Sequence, residues 1–314
     1  MRRSQILGLA GSALAARALP ALAQETPAIR LGLVGVEEGA AADYALQRGF
    51  YQQAGLNVEL TRFPNGATVA QGVVAGALDV GVTNSGSMSL AHERGLPVDL
   101  LACLALYTPG SPLSHFVVAK KSEIRSAKDL SGKTVAISAL RDMIHVSALA
   151  WIDDNGGDSK SVNFIEVPFP QMATAIAAHR VDAATIVEPF YTRSRRDLDQ
   201  IGLNYRSVNE GRPFQTLGLI GNRAFIEKNT SAARKMVTAL HGAARWANGN
   251  RYEAARLLAP FTKMEPSVIA AYPRVAFAEV NNAAYVQPVV DLMTRYGVLR
   301  KRFEASELFS TALA

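Results

Sequence analysis

An internal repeat limits the folds that this chain can adopt. Residues 71–83 align with residues 174–186 at a constant shift, so that Asp79 matches Asp182. Two upstream segments match as well, residues 30–34 at the same shift and residues 57–63 with a small slip in register. Each copy predicts a strand-helix-strand-helix-strand unit, and such alternation favours parallel α/β sheets. The two copies therefore predict two similar α/β lobes that face each other across a cleft.

Small polar residues follow the third strand of the first copy. The apolar run at residues 80–82 leads into Thr83, Asn84 and Ser85 and then into an apolar pattern at helical spacing. A helix N-terminus has unpaired N–H donors and partial positive charge, so this loop can hold a small polar or anionic ligand. A simple turn with an N-cap explains one such loop better, but the repetition favours a ligand site.

The N-terminus has the pattern of a cleavable export signal. Paired arginines precede an apolar run at residues 6–16, and small residues at 21–23 precede the predicted cleavage point. We therefore expect residues 1–23 to be removed and the mature protein to be periplasmic. The paired arginines also fit a twin-arginine signal, and the apolar run is too short to span a bilayer permanently.

Charge and motif content argue against several classes of function. Removing the first 23 residues lowers the formal charge from +6 to +3, and no basic stretch is interleaved with aromatic residues, so we expect no nucleic-acid partner. The histidines are scattered and Cys103 is the only cysteine, so we expect no metal site, no cofactor and no internal disulfide. Nucleophile-elbow, P-loop and dinucleotide-binding motifs are absent.

The predicted strands of the first lobe all end in loops of small polar residues or glycine. Parallel α/β sheets bind ligands beyond the carboxyl ends of their strands, so these loops should line the cleft. The candidate ligand contacts that they supply are Val36, Glu37, Glu38, Asn65, Gly66, Thr83, Asn84, Ser85 and Tyr107.

Four motifs, taken together, resemble a known family. They are Asp-Leu-Ser-Gly-Lys-Thr-Val-Ala-Ile at 129–137, Ile-Val-Glu-Pro-Phe at 186–190, Gly-Ala-Leu-Asp-Val-Gly at 76–81 and Gly-Phe-Tyr-Gln-Gln-Ala-Gly-Leu-Asn-Val at 49–58. They resemble the solute-binding proteins of ABC importers, in the nitrate/sulfonate/taurine group, and the resemblance extends in order from residue 29 to about 300. It implies a type 2 periplasmic-binding-protein fold of the α/β class, in which each lobe is a mainly parallel sheet flanked by helices.

The resemblance also implies how the lobes are divided and what the protein binds. The two crossings between the lobes would lie at residues 115–121 and 214–222, which assigns residues 24–117 and 219–314 to the first lobe and 118–218 to the second. We expect a monomer that takes up one small organic ligand without altering it. The expected partners are the membrane permease and ATPase subunits of an ABC importer.

The second lobe departs from the family pattern in the loop after its first strand. Relatives commonly carry a Gly-Ser type loop there, whereas this chain has Ser138 and, three residues later, Arg141. Arg141 offers a planar fork for a carboxylate or sulfonate, or else it pairs with Asp142 or Glu188. Glu188, followed by Pro189, should face the cleft, and its structural role would be to cap a helix or to pair with an arginine. Ser138, Arg141, Glu188 and Pro189 complete the predicted site.

The charges at the predicted mouth limit the chemistry of the ligand. Glu37, Glu38, Asp142 and Glu188 place as many as four carboxylates against Arg141, and unpaired carboxylates repel an anion. We therefore expect an organic ligand with an amine or ring N–H that a carboxylate accepts, rather than nitrate or sulfate. Any acidic group of the ligand would be held by Arg141 and the loop that contains Thr83.

Two other functions remain as alternatives. An exported binding module could deliver its ligand to a sensor or an enzyme instead of an importer. Pyrimidine synthases of thiamine biosynthesis share the fold, but their cysteine-rich motif is absent here, where Cys103 stands alone. An enzyme is therefore not expected.

Overall fold

The computed structural model describes residues 28–313, so the predicted export signal lies outside the described residues. In this part of the chain, eleven strands form two sheets. The strands are β1 (Ile29–Val34), β2 (Val58–Phe63), β3 (Val80–Asn84), β4 (Val98–Tyr107), β5 (Ser114–Ala119), β6 (Thr134–Ile137), β7 (Asn163–Glu166), β8 (Ala183–Val187), β9 (Leu198–Gly202), β10 (Phe214–Asn222) and β11 (Ala276–Phe277).

The two sheets share one plan. The first has the order β11-β4-β10-β3-β1-β2 and the second the order β7-β6-β8-β5-β9. Each sheet has three parallel strands at one edge. In the first sheet β1 lies between β2 and β3, and in the second sheet β6 lies between β7 and β8. One antiparallel strand then follows, β10 beside β3 and β5 beside β8. Most strands of each sheet thus run in one direction, and the predicted α/β fold is confirmed.

Helices flank both sheets. The α-helices are α1 (Ala40–Gln47), α2 (Phe50–Gln53), α3 (Gly66–Val74), α4 (Ser85–Glu93), α5 (Met143–Asp154), α6 (Phe169–Ala177), α7 (Phe190–Ser194), α8 (Arg223–Lys228), α9 (Thr230–Gly249), α10 (Arg251–Thr262), α11 (Pro266–Ala271) and α12 (Ala283–Arg295). We call the first sheet with α1–α4 and α8–α12 the first lobe, and the second sheet with α5–α7 the second lobe. Among residues 28–313, no helix combines the length and the apolar character that a bilayer crossing requires.

The sequence repeat is a structural repeat. Asp79 precedes β3 and accepts the backbone N–H of Arg30 through Oδ2 at 2.8 Å. Asp182 precedes β8 and accepts the backbone N–H of Thr134 through Oδ2 at 2.7 Å. Each aspartate therefore ties the start of the last parallel strand to the start of the first one, which explains why the two aspartates align.

Apolar side chains buried on the strands anchor the core of each lobe. Every residue of β3 and of β8 is buried, and β4 is buried except at Asp99. Such continuous apolar runs are typical of strands that are covered by helices on both faces. Burying each large aliphatic side chain is worth roughly 1.5–3 kcal/mol, so the centre of each sheet is the most stable part of its lobe. The loops at the strand ends are therefore held in place by the most stable part of each lobe.

The crossings between the lobes differ from the predicted ones. Strand β5 pairs with β8 and β9 in the second sheet, and β10 pairs with β3 and β4 in the first. The chain therefore changes lobes at residues 108–113 and 203–213, just before each of the two predicted crossings at 115–121 and 214–222. The ladder hydrogen bonds tie each whole strand to one sheet, which an apolar run alone does not reveal. The exact extent of each lobe stays a prediction.

Candidate functional site

The loops at the carboxyl ends of the strands of both sheets meet between the lobes. Three hydrogen bonds join loops of opposite lobes: Glu37 N–H to the Glu188 carbonyl at 3.3 Å, Asn65 Nδ2 to the Ser138 carbonyl at 3.1 Å, and Asn84 Nδ2 to Asp142 Oδ2 at 3.2 Å. Five of these six residues belong to the predicted site, and the sixth, Asp142, directly follows Arg141 of that site. The structure thus brings the five predicted loops to one interface, in a closed arrangement of the lobes.

Two helix N-termini face each other across this interface. Asn84 caps α4 and Asp142 caps α5, each through a side-chain oxygen that accepts a backbone N–H three residues on. The first turn of α4 approaches α5 so closely that a Cβ on Gly86 would lie 2.6 Å from the backbone nitrogen of Met143. Glycine at position 86 therefore permits this close approach of the lobes.

The carboxylate of Glu37 is neutralised inside the first lobe. It forms an ion pair with Arg274, and both side chains are almost completely buried. Arg274 also donates through Nη2 to the hydroxyl of Tyr44 at 2.9 Å. Glu37 therefore contributes no free negative charge to the cleft. Sequence reasoning missed Arg274 because it enters the first lobe from the distant C-terminal part of the chain.

The carboxyl of Glu38 is buried, and no cation among residues 28–313 pairs with it. Glu38 is only 3 % exposed, and burial raises the pKa of its carboxyl to about 8, although the nearby Thr216 hydroxyl partly opposes this rise. Burial likewise raises the pKa of Asp142 to about 7, despite the hydrogen bonds that it accepts. Burial raises the pKa of the Tyr205 phenol, and the nearby carboxyls of Glu38 and Asp142 raise it further. At neutral pH, Glu38 is therefore mostly protonated and Asp142 is partly protonated.

Glu188 caps a helix in the second lobe. Its Oε2 accepts the backbone N–H of Thr192 at 3.2 Å, and its Oε1 accepts the Thr192 hydroxyl at 3.0 Å. His115 Nε2 lies 3.6 Å from Oε1 of the same carboxyl. Of the roles considered for Glu188, the structure thus shows the capping one, and Pro189 is the N-cap residue of α7.

Arg141 does not pair with either of the carboxylates considered from the sequence. Its side chain is exposed, and Nη2 donates to the carbonyl of Val298 in the first lobe at 3.1 Å. The backbone N–H of Arg141 donates to Nδ1 of His145 at 3.1 Å, while burial lowers the pKa of that imidazole to about 4. The alternative in which Arg141 pairs with Asp142 or Glu188 is therefore not what the structure shows. Its contact with a ligand stays a prediction.

The remaining predicted residues lie along the same interface. Thr83 donates through its hydroxyl to the Gly66 carbonyl at 2.7 Å, which joins two neighbouring loops of the first lobe. Val36 lies in the loop after β1 and is buried. The ring of Tyr107 stacks on Phe214 with 5.2 Å between centroids, which places Tyr107 beside the first residue of β10.

Several buried side chains near this interface each leave a polar atom without a hydrogen-bond partner among the described residues. Two of these atoms are Glu37 Oε2 and His115 Nε2. The others include Glu38 Oε1 in the turn after β1, Ser87 Oγ in the first turn of α4, Ser114 Oγ at the start of β5, Asn204 Oδ1 in the second crossing and Gln215 Oε1 near the start of β10. Because buried polar groups are nearly always paired, such a group of unpaired atoms marks a place where a bound molecule or water is required.

The surrounding hydrogen bonds fix which amide atom is left unpaired. The Ser85 hydroxyl donates to the backbone carbonyl of Gln215 at 2.9 Å. The side chain of Gln215 must therefore donate to Ser85 Oγ through Nε2, at 3.0 Å. The Ser147 hydroxyl donates to the backbone carbonyl of Ile144 at 2.9 Å. The side chain of Asn204 must therefore donate to Ser147 Oγ through Nδ2, at 2.7 Å. In both side-chain amides the oxygen is therefore the atom without a partner, and an amide oxygen can only accept a hydrogen bond.

Sequence reasoning missed Asn204, Tyr205 and Gln215. Asn204 and Tyr205 lie in the second crossing, where no periodic pattern distinguishes them. Gln215 and Thr216 carried a usable signal, because two polar residues interrupt the otherwise apolar strand β10. Polar side chains in a fully buried strand need partners, and that need could have placed them at a ligand site.

The two lobes with their shared buried interface define a periplasmic-binding-protein fold. The alkanesulfonate-binding protein SsuA from Xanthomonas axonopodis pv. citri, solved with bound MOPS, superposes with a TM-score of 0.75 over 92% of this chain and 99% of that protein, at 18% identity. The sequence profile of the "NMT1/THI5 like" family matches residues 40–254. The chain belongs to this family.

Two curated relatives extend the comparison. The formylaminopyrimidine-binding protein of Halalkalibacterium halodurans is 25% identical over 188 residues, which is 59% of this chain and 55% of that protein. A putative thiamine biosynthesis protein of Haemophilus influenzae is 27% identical over 241 residues, 75% of this chain and 73% of that protein. The match to the first relative thus spans little more than half of its length.

Proposed function

We propose that the protein is an extracytoplasmic solute-binding receptor for an ABC importer, and that its ligand is a small organic molecule that presents N–H donors to the interface between the lobes. The lobes would open to admit the ligand and close around it, with residues 108–113 and 203–213 as hinges. The closed complex would then dock on the permease and release its ligand for transport.

The unpaired amide oxygens of Asn204 and Gln215 carry this proposal. The two amide oxygens can only accept, so a ligand at this place must donate hydrogen bonds to them. An inorganic anion has no hydrogen to donate. An amine or a ring N–H satisfies the acceptors, and leaving them unpaired would cost about 1–3 kcal/mol for each.

The similarity to a formylaminopyrimidine-binding protein supports the same ligand chemistry. A formylamino group on a pyrimidine ring has an N–H donor and a flat apolar surface. In this chain, Tyr107, Tyr205 and Phe214 form an aromatic cluster, and two of its members are sequence neighbours of Asn204 and Gln215. Aromatic rings of this kind stack on flat heterocycles, so an amino-substituted heterocycle is the ligand class that we favour.

The only cysteine does not support an enzymatic alternative. Cys103 is buried, and burial raises the pKa of its thiol to about 11, so the thiolate is scarce at neutral pH. A thiol in this state is a weak nucleophile. We therefore propose that the ligand is bound and released unchanged, although one relative is named for thiamine biosynthesis.

A thermal-shift screen with calorimetric follow-up tests the proposal. The panel contains aminopyrimidines, other amino-heterocycles, zwitterions, sulfonates, nitrate and sulfate. A ligand at a hundred times its dissociation constant should stabilise the protein by about 2.7 kcal/mol. We expect the amino-heterocycles to give this stabilisation and nitrate and sulfate to give none. Tight binding of nitrate or sulfate, or chemical turnover of any panel compound, would show that the proposal is wrong.

A pair of variants links binding to the unpaired acceptors. Gln215→Met removes one of them at similar volume, and Gln53→Met makes the same change at an exposed site on α2. We expect Gln215→Met to weaken binding of the best ligand by about tenfold or more, since each lost hydrogen bond of this kind is worth about 1–2 kcal/mol. Gln53→Met should bind like the unchanged protein. Equal affinities for all three proteins would contradict the assignment.

A further inference from the structure

A second, apolar pocket lies at the mouth of the cleft. It has a volume of about 270 Å³ and is lined from both lobes. Its walls carry four phenylalanine rings and two arginines: Phe63, Phe169, Phe190, Phe261, Arg62 and Arg193. Val36 and Pro189 also line it, so it adjoins the two loops that hold Glu38 and Glu188. The pocket is therefore continuous with the loops around the buried polar interface but differs from that interface in chemistry.

The phenylalanines of this pocket are in position to receive a ligand group. Phe63, Phe190 and Phe261 are only half-buried, although three large aromatic rings at one place would normally be covered. Phe169 and Phe190 belong to the second lobe and lie nearly parallel, with an interplanar angle of 11°. Phe63 and Phe261 belong to the first lobe. An apolar group placed between the lobes would cover rings from both of them.

The two arginines of the pocket differ in their partners. Arg62 forms an ion pair with Asp43, and its guanidinium lies 4.9 Å from the ring centroid of Phe261. The exposed guanidinium of Arg193 has no hydrogen-bond or ion-pair partner among residues 28–313. None of the described residues that line the pocket is acidic. The pocket therefore combines an apolar wall with one uncompensated positive charge.

We propose that this pocket binds an apolar ligand group that ends in a carboxylate or sulfonate, with Arg193 as the partner of the acid. This inference extends the proposed function, because it adds a second, acid-bearing end to a ligand whose first end donates N–H groups. An arginine fork pairs well with either acid through two parallel hydrogen bonds. The acid previously assigned to Arg141 is therefore assigned to Arg193, on α7 of the same lobe.

Fragment probes test the pocket separately from the polar interface. Binding of 3-phenylpropanoate, 3-phenylpropane-1-sulfonate, 3-phenylpropan-1-ol and 3-phenylpropylamine is measured by ligand-observed NMR titration. We expect both anions to bind about tenfold more tightly than the alcohol, as expected for one charge-assisted pair, and the amine to bind most weakly. The two anionic probes then distinguish the carboxylate from the sulfonate. Equal binding of the amine and the anions, or no binding of any probe, would overturn the proposal.

Two arginine variants show whether the cation acts as proposed. Arg193→Gln should lower the affinity for the anions about tenfold and leave the affinity for the alcohol within about twofold. Arg196→Gln changes an exposed arginine that does not line the pocket, and it should change neither affinity. Loss of anion binding in both variants would indicate a general charge effect and would overturn the assignment to Arg193.

A third variant separates this inference from the proposed function. Gln215→Met alters the polar interface but none of the pocket walls, so 3-phenylpropanoate should bind to it as it binds to the unchanged protein. If no amino-heterocycle binds while the Arg193-dependent binding of the anion persists, the proposed function fails and the pocket stands. If amino-heterocycles bind but no phenyl anion does, the pocket fails and the proposed function stands.

Discussion

Replacing Glu38 with glutamine should change how the stability of the protein depends on pH. Burial raises the pKa of the Glu38 carboxyl from 4.5 to about 8, so between these pH values the folded state holds a proton that the unfolded state has released. The stability that this proton supplies is fully present below about pH 4.5. It is lost as the pH rises towards 8, because the unfolded state then gains from ionisation while the folded state does not.

The size of this effect follows from the size of the pKa shift. Each pKa unit corresponds to 1.36 kcal/mol, so a shift of between three and four units is worth about 5 kcal/mol across the whole range. Between pH 5 and pH 8, the free energy of unfolding of the unchanged protein should fall by about 3–4 kcal/mol more than that of Glu38→Gln. Asp142 has a raised pKa as well, but its contribution is common to both proteins and cancels in the comparison.

Urea unfolding at pH 5, 6, 7 and 8 measures this difference. Tryptophan fluorescence reports on both lobes, because Trp246 lies on α9 of the first lobe and Trp151 lies on α5 of the second. Glu59→Gln serves as the control, since Glu59 is exposed on β2 and should leave the pH dependence unchanged. Parallel stability curves for the unchanged protein and Glu38→Gln, within about 0.5 kcal/mol, would refute the reasoning.

Two further substitutions probe closure and the buried ion pair. Gly86→Ala places a methyl group against α5 and should hold the lobes apart, so small-angle scattering should show a larger radius of gyration, whereas Gly249→Ala, which meets nothing within 4 Å, should not. Arg274→Met leaves Glu37 buried and unpaired and should lower the free energy of unfolding by about 3–5 kcal/mol. Adding Glu37→Gln should restore much of that loss in urea unfolding, and no restoration would count against the pair.

The fold was predictable because its signals are local and repeated. Short apolar runs, glycine turns and the aligned Asp79 and Asp182 are all visible in the sequence, and each corresponds to a feature of one lobe. The crossings were misplaced by a few residues because β5 and β10 have the same apolar pattern whichever sheet they join. Hydrophobic pattern specifies that a strand is buried but does not specify its neighbours.

The site was predictable only in outline. The convergence of the loops follows from the parallel strands, and the helix N-termini follow from caps such as Asn84. The pairing of charges does not follow, since Arg274 reaches Glu37 from the other end of the chain. Arg141 adopts a φ of 62° and turns outward to Val298, which depends on the backbone and on the opposite lobe rather than on neighbouring residues.

The position of β10 has a consequence for the order in which the protein can fold. This strand lies between β3 and β4 in the middle of the first sheet, yet it leaves the ribosome only after the whole second lobe. Until it arrives, β3 and β4 have open edges that can pair with other chains. The second lobe is one continuous segment and can fold before β10 has been synthesised. A chain interrupted before residue 214 should therefore aggregate through the unfinished first lobe, although its second lobe is already native.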